Sequence, residues 1–344
     1  MKSKIILGIL FILLIIGGLV GYNFYNKIFA PAVIKDSKVY IPTNSSMTFL
    51  NEKLADFVEN SDDFTWVAKQ KKFTKPKGGM YLLKKGMSMN DLVNLFRSGN
   101  QTPIKVSFNN QDTLEKLAGR VAQQIESDSI SLLNAFKDTS FLSKNNFTEK
   151  SVLGMYIPNQ YEFYWNTTPE NFRNTMLKYY NKFWNKNRLA KASKLGLTKD
   201  QVIGLASIVH KETAQISERP VVAGLYLNRY KSNWPLEADP TIIYALKEIN
   251  GQDFIVKRVL FKDIENTKNS PYNTYKHVGI PPTLIGMPDI SAIDAVLNPA
   301  KHNYYFMCAS VDNIGFHEFA KTLAQHNRNA TKYQRWINNQ GIRR

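Results

Sequence analysis

Only one of the 344 residues is a cysteine, Cys308. An intramolecular disulfide and any multi-cysteine metal site are therefore excluded. Cys308 sits in the apolar run 304–309, where a free thiol is expected to pack as a small, inert hydrophobe. Acidic residues are scarce as well. Twenty-eight Asp and Glu stand against 45 Lys and Arg, a net charge of +17. Such a balance suits polyanionic surroundings: nucleic acid, an anionic membrane face or an acidic polymer. The interleaving of basic and aromatic residues that marks a nucleic-acid module is missing, so nucleic acid is not an expected partner. No Gly-rich phosphate loop, internal repeat or low-complexity tract is found. No Gly-x-Ser-x-Gly elbow supports a serine nucleophile. No His-x-x-x-His or Glu-x-x-His pair supports a metal. Neither a cofactor nor a metal is expected. What is present is 43% apolar and 12% aromatic residues, enough to exclude a wholly disordered chain. The length suggests two domains or three.

Lys2 and Lys4 precede residues 5–22, which carry no charged side chain. With Asn23 and Phe24 the run is 20 residues. As a helix rising ~1.5 Å per residue it spans ~30 Å, the depth of a bilayer core. Lysines on the short leading end favour keeping that end in the cytoplasm, which places residues 28–344 outside. A cleaved signal peptide is the alternative, and Ala30-Pro31-Ala32 loosely resembles a cleavage site. Signal cores run only ~7–15 residues, however, and Lys27 follows this one. The expectation is a retained single-pass anchor in the cytoplasmic membrane, with membrane lipid as its partner. Outside the cytoplasm, the positive charge meets anionic lipid or wall polymer rather than chromosomal DNA. Lys69, Lys71, Lys72, Lys75 and Lys77 read as a solvated face.

Residues 1–27 form the tip and anchor, and 28–37 a tether. Residues 38–105 read as a small α/β module: a strand at 39–41, a helix at 47–59, a turn at Gly78-Gly79, a strand at 80–83, and a helix capped by Ser88 and stopped by Gly99. It could bind ligand, or only orient the next domain. Residues 104–108 look like a strand and 113–125 like a helix. Beyond about 110 the chain is mostly helical. Residues 303–319 read as a β-hairpin turning at Asp312-Asn313, and 322–339 as a closing helix. The aromatics Phe172, Tyr179, Tyr180, Phe183 and Trp184 are expected in core or groove lining.

Thr198 and Gln201 form a capping box. In the helix it opens, Val202, Leu205, Val209 and Glu212 fall on one stripe, Leu205 and Glu212 being seven residues apart. A carboxyl on an apolar face is desolvated, which favours its protonated form and suits a general acid. A Glu paired to a base at a fraying helix end is the alternative. His210 lies about 200° round from that stripe and reads as a solvated or capping residue. His317 and His326 could line a cleft or satisfy backbone carbonyls. Ser217 can cap one further helix, and Asp239-Pro240 can open another. The stretches 270–275 and 279–282 hold Tyr, Asn, Thr and rigid prolines, suited to a hydroxyl-rich ligand or to a plain surface loop.

The runs LASIVHKET, SERPVVAGLYLNR, PLEADPTIIYAL, SPYNTYKHVGIPPTLIGMP and FHEFAKTLAQHN, in this order, resemble the endolytic murein transglycosylases, the MltG or YceG-like family. The resemblance covers most of the chain. It implies an α+β protein: a single transmembrane helix, a small LysM-like module over 38–105, and a mostly helical catalytic domain over 106–344 with a β-hairpin. It implies a lyase that cuts nascent peptidoglycan glycan strands internally at the MurNAc–GlcNAc bond. The products are 1,6-anhydro-MurNAc ends, and strand elongation stops. Glu212 takes the place of the catalytic glutamate. Many relatives carry a second glutamate where this chain has His210. Substrate contacts are expected at Glu218, Asn228, Tyr272, Asn273, Thr274, Tyr275 and His317. The partners implied are peptidoglycan strands and peptidoglycan synthases. A hydrolytic muramidase, with Glu218 as the nearest second carboxylate, and a non-catalytic wall-binding scaffold remain as alternatives.

Overall fold

A computed structural model describes residues 2–340. The chain divides into two units. The first holds residues up to Val106 together with two later passes, 122–128 and 161–168. The first crossing follows Val106, and the two returning passes left no mark in the residue pattern.

Helix α1 (Lys2–Phe29) is solvent-exposed along its apolar length, and its most apolar 18-residue window has a mean hydropathy of 2.8. Its last turns are docked instead. Phe24 stacks on Trp66 with ring centroids 5.3 Å apart, and Lys27 pairs with Asp63 at 2.8 Å. Residues 28–37 are not a free tether. Ala32 and Val33 are buried, and bridges tie Pro31 to Ser88 and Val33 to Val58. Two apolar residues in a row at 32–33 were the available signal.

Strand β1 (Ser37–Ile41) pairs antiparallel with β2 (Gly79–Leu83). Between them lie α2 (Met47–Leu54) and α3 (Ser61–Gln70), and α4 (Met89–Ser98) follows. Asn60 caps α3, whose apolar face Phe64, Val67 and Ala68 completes the core with Leu50, Leu92 and Phe96. The expected helix over 47–59 thus ends early and a second one follows. Ser88 caps α4 as anticipated and forms a full capping box with Asp91, and Gly99 stops the helix in the left-handed region at φ 73°.

The chain passes between units within strands β3 (Ile104–Phe108) and β4 (Asn159–Phe163), and also at 121–122, 128–129 and 168–169. The second unit contains α5 (Leu114–Ala122, its last residue excepted), α6 (Ser129–Phe136), α7 (Thr139–Lys144), α8 (Pro169–Phe183) and α9 (Lys186–Leu195). At its centre is α10 (Lys199–Glu212), opened by the Thr198–Gln201 box and buried continuously from Val202 to Val209. Around it pack α11 (Arg219–Lys231), α12 (Asp239–Asn250) and, beyond the short α13 (Phe261–Asn266), α14 (Ile290–Leu297). The hairpin is β5 (Phe306–Ala309) with β6 (His317–Ala320), Ala309 facing His317, and α15 (Leu323–Asn339) closes the unit.

The segment feeding the hairpin is stitched to α11. Ala300 N–H donates to the Pro220 carbonyl at 2.9 Å, and the Asn228 amide donates to the carbonyls of His302 and Tyr304 at 2.9 and 3.1 Å. Gly224 permits this approach: a Cβ there would stand 2.5 Å from the Ala300 oxygen and 2.6 Å from His302 Nε2. Gly224→Ala is therefore expected to lower stability by ~1–3 kcal/mol, the usual cost of overpacking. Denaturant melts should read it. An unchanged midpoint would mean that this contact yields freely.

Candidate active site

Glu212 ends α10 at the wall of a cavity of about 230 Å³. Also lining it are Tyr226 and Arg229 from α11, Leu236, Glu237 and Asp239 from the loop that opens α12, Tyr275, the β5 residues Met307, Cys308 and Ala309, and His317 from β6. A larger groove of about 760 Å³ runs along α15, but its carboxylate, Asp312, is exposed and paired with Lys332. It offers no desolvated acid.

Glu212 follows the helical stripe into the protein. Burial drives its carboxyl up to about 7. A hydrogen bond from the Tyr226 hydroxyl to Oε1, at 2.6 Å, pulls the other way. The charge of Arg229, and that of His317 when its ring is protonated, also favour ionisation, while the Asp239 carboxylate opposes it. With Oε1 held by Tyr226, Oε2 is the oxygen left to carry a transferable proton.

Arg229 is buried, and its charge is directed into the wall. It donates to the carbonyls of Tyr305 and Leu236 at 2.7 and 2.9 Å and pairs with Glu237 at 2.8 Å. Glu237 takes a left-handed backbone, φ 51°, which is strained for a residue with a side chain. Its N–H is held by the Thr274 carbonyl at 3.0 Å. Asp239 accepts from the Tyr275 hydroxyl at 2.6 Å. Pro240 sits in the first turn of α12, as its sequence suggested, with Ala238 rather than Asp239 at the cap.

Of the expected substrate contacts, Tyr275 and His317 reach the cavity. The others lie in the surrounding walls. Glu218 is buried and accepts from both the backbone N–H and the ring Nδ1 of His317, at 2.6 and 2.8 Å. Asn228 anchors residues 302–304. Tyr272 is buried, bonds to Thr283 through its hydroxyl and packs on Tyr244. Asn273 bonds to the Ile264 carbonyl and to Thr267, and Thr274 to the Ala238 N–H and to Thr241. The motif residues thus brace the loop that presents Tyr275.

His210 lies off the cavity, 3.4 Å from Asp289 and 3.3 Å from Arg219. Burial works against the charge of Asp289, but hydrogen bonds from His210, Arg219, the Ala292 N–H and Ser291 overcome it and hold the carboxyl well below its usual range. His326 stacks on Phe306, and burial lowers its basicity. Sequence reasoning passed over Tyr226, Arg229, Glu237 and Asp239. Tyr226 and Arg229, three apart on one helix, carried a signal. Cys308 is half-buried and lines the cavity rather than being sealed in a core, and burial raises its thiol.

The YceG-like family profile matches residues 39–332. The chain belongs to the YceG-like family. The endolytic murein transglycosylase of Bacillus subtilis is 28% identical over 343 residues, covering 93% of this chain and 91% of the relative. That of Streptococcus pneumoniae D39 is 27% identical over 362 residues, and the match covers 93% of this chain and 63% of the relative. The crystal structure of a YceG-like protein from Listeria monocytogenes aligns with a TM-score of 0.56 at 27% identity, covering 86% of this chain and 98% of that one.

The raised carboxyl carries a stability consequence. A Glu whose pKa rises from 4.5 to about 7 on folding favours the native state below pH 4.5, and that contribution is lost as pH climbs through 7. Glu212→Gln removes the penalty. Relative to the parent, it is expected to gain stability progressively between pH 4.5 and 8, by up to about 3 kcal/mol at ~1.4 kcal/mol per unit. Melting temperatures of the two proteins across that range test this. A pH-independent difference would remove the case for a desolvated Glu212.

Proposed function

We propose that this chain is a membrane-anchored endolytic lytic transglycosylase that cleaves the MurNAc–GlcNAc bond of peptidoglycan strands. The supporting observation is a glutamate driven to about 7 at the wall of a polar cavity, in a chain whose relatives bear that name. Glu212 Oε2 protonates the glycosidic oxygen. As the C1–O bond breaks, positive charge develops at C1. The C6 hydroxyl of the same muramic residue attacks C1 and closes a 1,6-anhydro ring. No water enters.

Glu218 is engaged with His317 and does not serve as the second carboxylate of a muramidase. Asp239 lines the cavity and is the observation that favours hydrolysis. Retaining and inverting hydrolases need a second carboxylate ~5–9.5 Å from the acid. Digestion in heavy-oxygen water separates the two readings. Unlabelled 1,6-anhydro ends are expected, and label in the new ends would select the muramidase.

Glu212→Gln is expected to lower cleavage by at least ~10²–10⁴ while the fold persists. Because Glu212 must be protonated, parent activity is expected to fall as pH rises through about 7. A fully active Glu212→Gln protein would overturn the assignment, whatever the products.

In this reading α1 anchors the enzyme and the body lies on the outer side of the cytoplasmic membrane. The first unit acts as a LysM-like module that orients glycan. Its groove of about 680 Å³, lined by Tyr40, Trp165, Lys38 and Lys105 among others, offers aromatic faces and amine donors to an amino-sugar polymer. Protease added to intact spheroplasts is expected to digest the body. Full protection would reverse the topology.

A further inference from the structure

The buried Glu218–His317 pair is not required by a mechanism in which Glu212 acts alone. Glu218 sits at the N-terminal cap of α11, 99 residues before His317, and both of its oxygens are committed to that one residue. One oxygen fixes the strand by its backbone N–H. The other accepts from Nδ1, so the ring proton is held there. Among the described residues the remaining ring nitrogen, Nε2, has no hydrogen-bond partner, while His317 lines the same cavity as Glu212. A buried carboxylate that sets an imidazole tautomer and leaves its outer nitrogen to meet substrate is the arrangement of a general base.

We infer that His317 is a second catalytic residue, whose Nε2 accepts the C6 hydroxyl proton during ring closure. The inference rests on the lyase reading above. The C1–O4 bond breaks, its electron pair goes to O4, and O4 takes the proton of Glu212. An O6 electron pair forms the O6–C1 bond, and the O6 proton passes to His317 Nε2. The imidazolium then returns a proton to the Glu212 carboxylate, which restores the starting state. Glu218 at the cap of α11 contacts His317, and the other titratable groups of the cavity they share are Glu212 from α10, Tyr226 and Arg229 from α11, Glu237 and Asp239 before and at the start of α12, Tyr275, and Cys308 from β5.

His317→Gln keeps polarity but cannot accept a proton. Its kcat is expected to fall ~10²-fold or more, with KM within about threefold. The alkaline limb of the parent pH profile, which comes from Glu212, is expected to remain. Added imidazole is expected to restore part of the activity of His317→Ala. Glu218→Gln gives a sharper test. Its oxygen can still hold the backbone N–H, but its amide donates to Nδ1 and forces the ring proton onto Nε2. Near-parent melting temperature with a kcat loss like that of His317→Gln is expected. A folded His317→Gln protein with kcat within twofold of the parent would overturn the inference. So would a loss confined to KM, or the absence of imidazole rescue in a folded His317→Ala protein. If the parent itself yields heavy-oxygen-labelled ends, the lyase reading fails separately. The same kcat and rescue measurements then still decide whether His317 takes a proton, with water as its donor.

Discussion

Desolvation of one carboxyl is the constraint on which the rest of the site depends. Glu212 closes a helix in which eight consecutive residues, Val202 to Val209, are all buried. The stripe that folds α10 into the unit is the stripe that carries the carboxyl out of water. Folding and acid strength are thus coupled through one helix. Burial alone would overshoot, because an unpaired buried acid is costly in either form. Tyr226 limits the rise by donating to Oε1, and the charge of Arg229 acts in the same sense. The balance near 7 leaves a group that can give a proton and take one back.

Helix α11 supplies the reference frame for the other walls. Its cap, Glu218, holds the start of β6; Tyr226 holds Glu212; Asn228 and Arg229 hold residues 302–305 and 235–237. Arg219, also on α11, donates to Asp289 at 2.6 Å, and Asp289 lies beside His210 on α10. Segments far apart in the chain are therefore indexed to one rigid element. A site built on a helix holds its geometry better than one built on loops. The strained backbone of Glu237 fits this picture, since it is pinned on two sides, by Arg229 and by the Thr274 carbonyl.

Local signals were read well and nonlocal ones poorly. The Ser88 cap, the Thr198 capping box, the Gly99 stop, the hairpin turn and the α15 start depend on residues within a few positions of each other. Glu212 was legible because helical periodicity is itself local. The partners of Glu212 were not, since Tyr226 faces it across two helices. Glu218 illustrates the limit. Composition marks it as a carboxylate near the acid, but only the return of β6, 99 residues later, shows what it binds. The SPYNTY loop misleads in another way. Its polar residues read as ligand contacts, yet Asn273 and Thr274 are buried because a tight irregular loop must satisfy its own backbone and its neighbours'. Only Tyr275 of that loop lines the cavity.

The charge of the whole chain and the charge of the cavity have opposite tendencies. The protein carries +17, whereas Glu212, Glu237 and Asp239 line the site. The cation among them, Arg229, is directed into the wall by its carbonyl and Glu237 bonds. A basic surface raises the local concentration of an anionic polymer without ordering it. The Asp239 carboxylate in the cavity does something different: it favours positive charge. At an effective dielectric of ~20, a carboxylate ~4 Å from a unit positive charge contributes about 4 kcal/mol. Tyr275 fixes the Asp239 carboxylate from one side, so little reorganisation accompanies charge development. The same Asp239 helps to keep Glu212 protonated before bond cleavage. One anion thereby supports the acid in the ground state, and in the proposed reaction its charge favours the sugar cation that forms after the proton has gone.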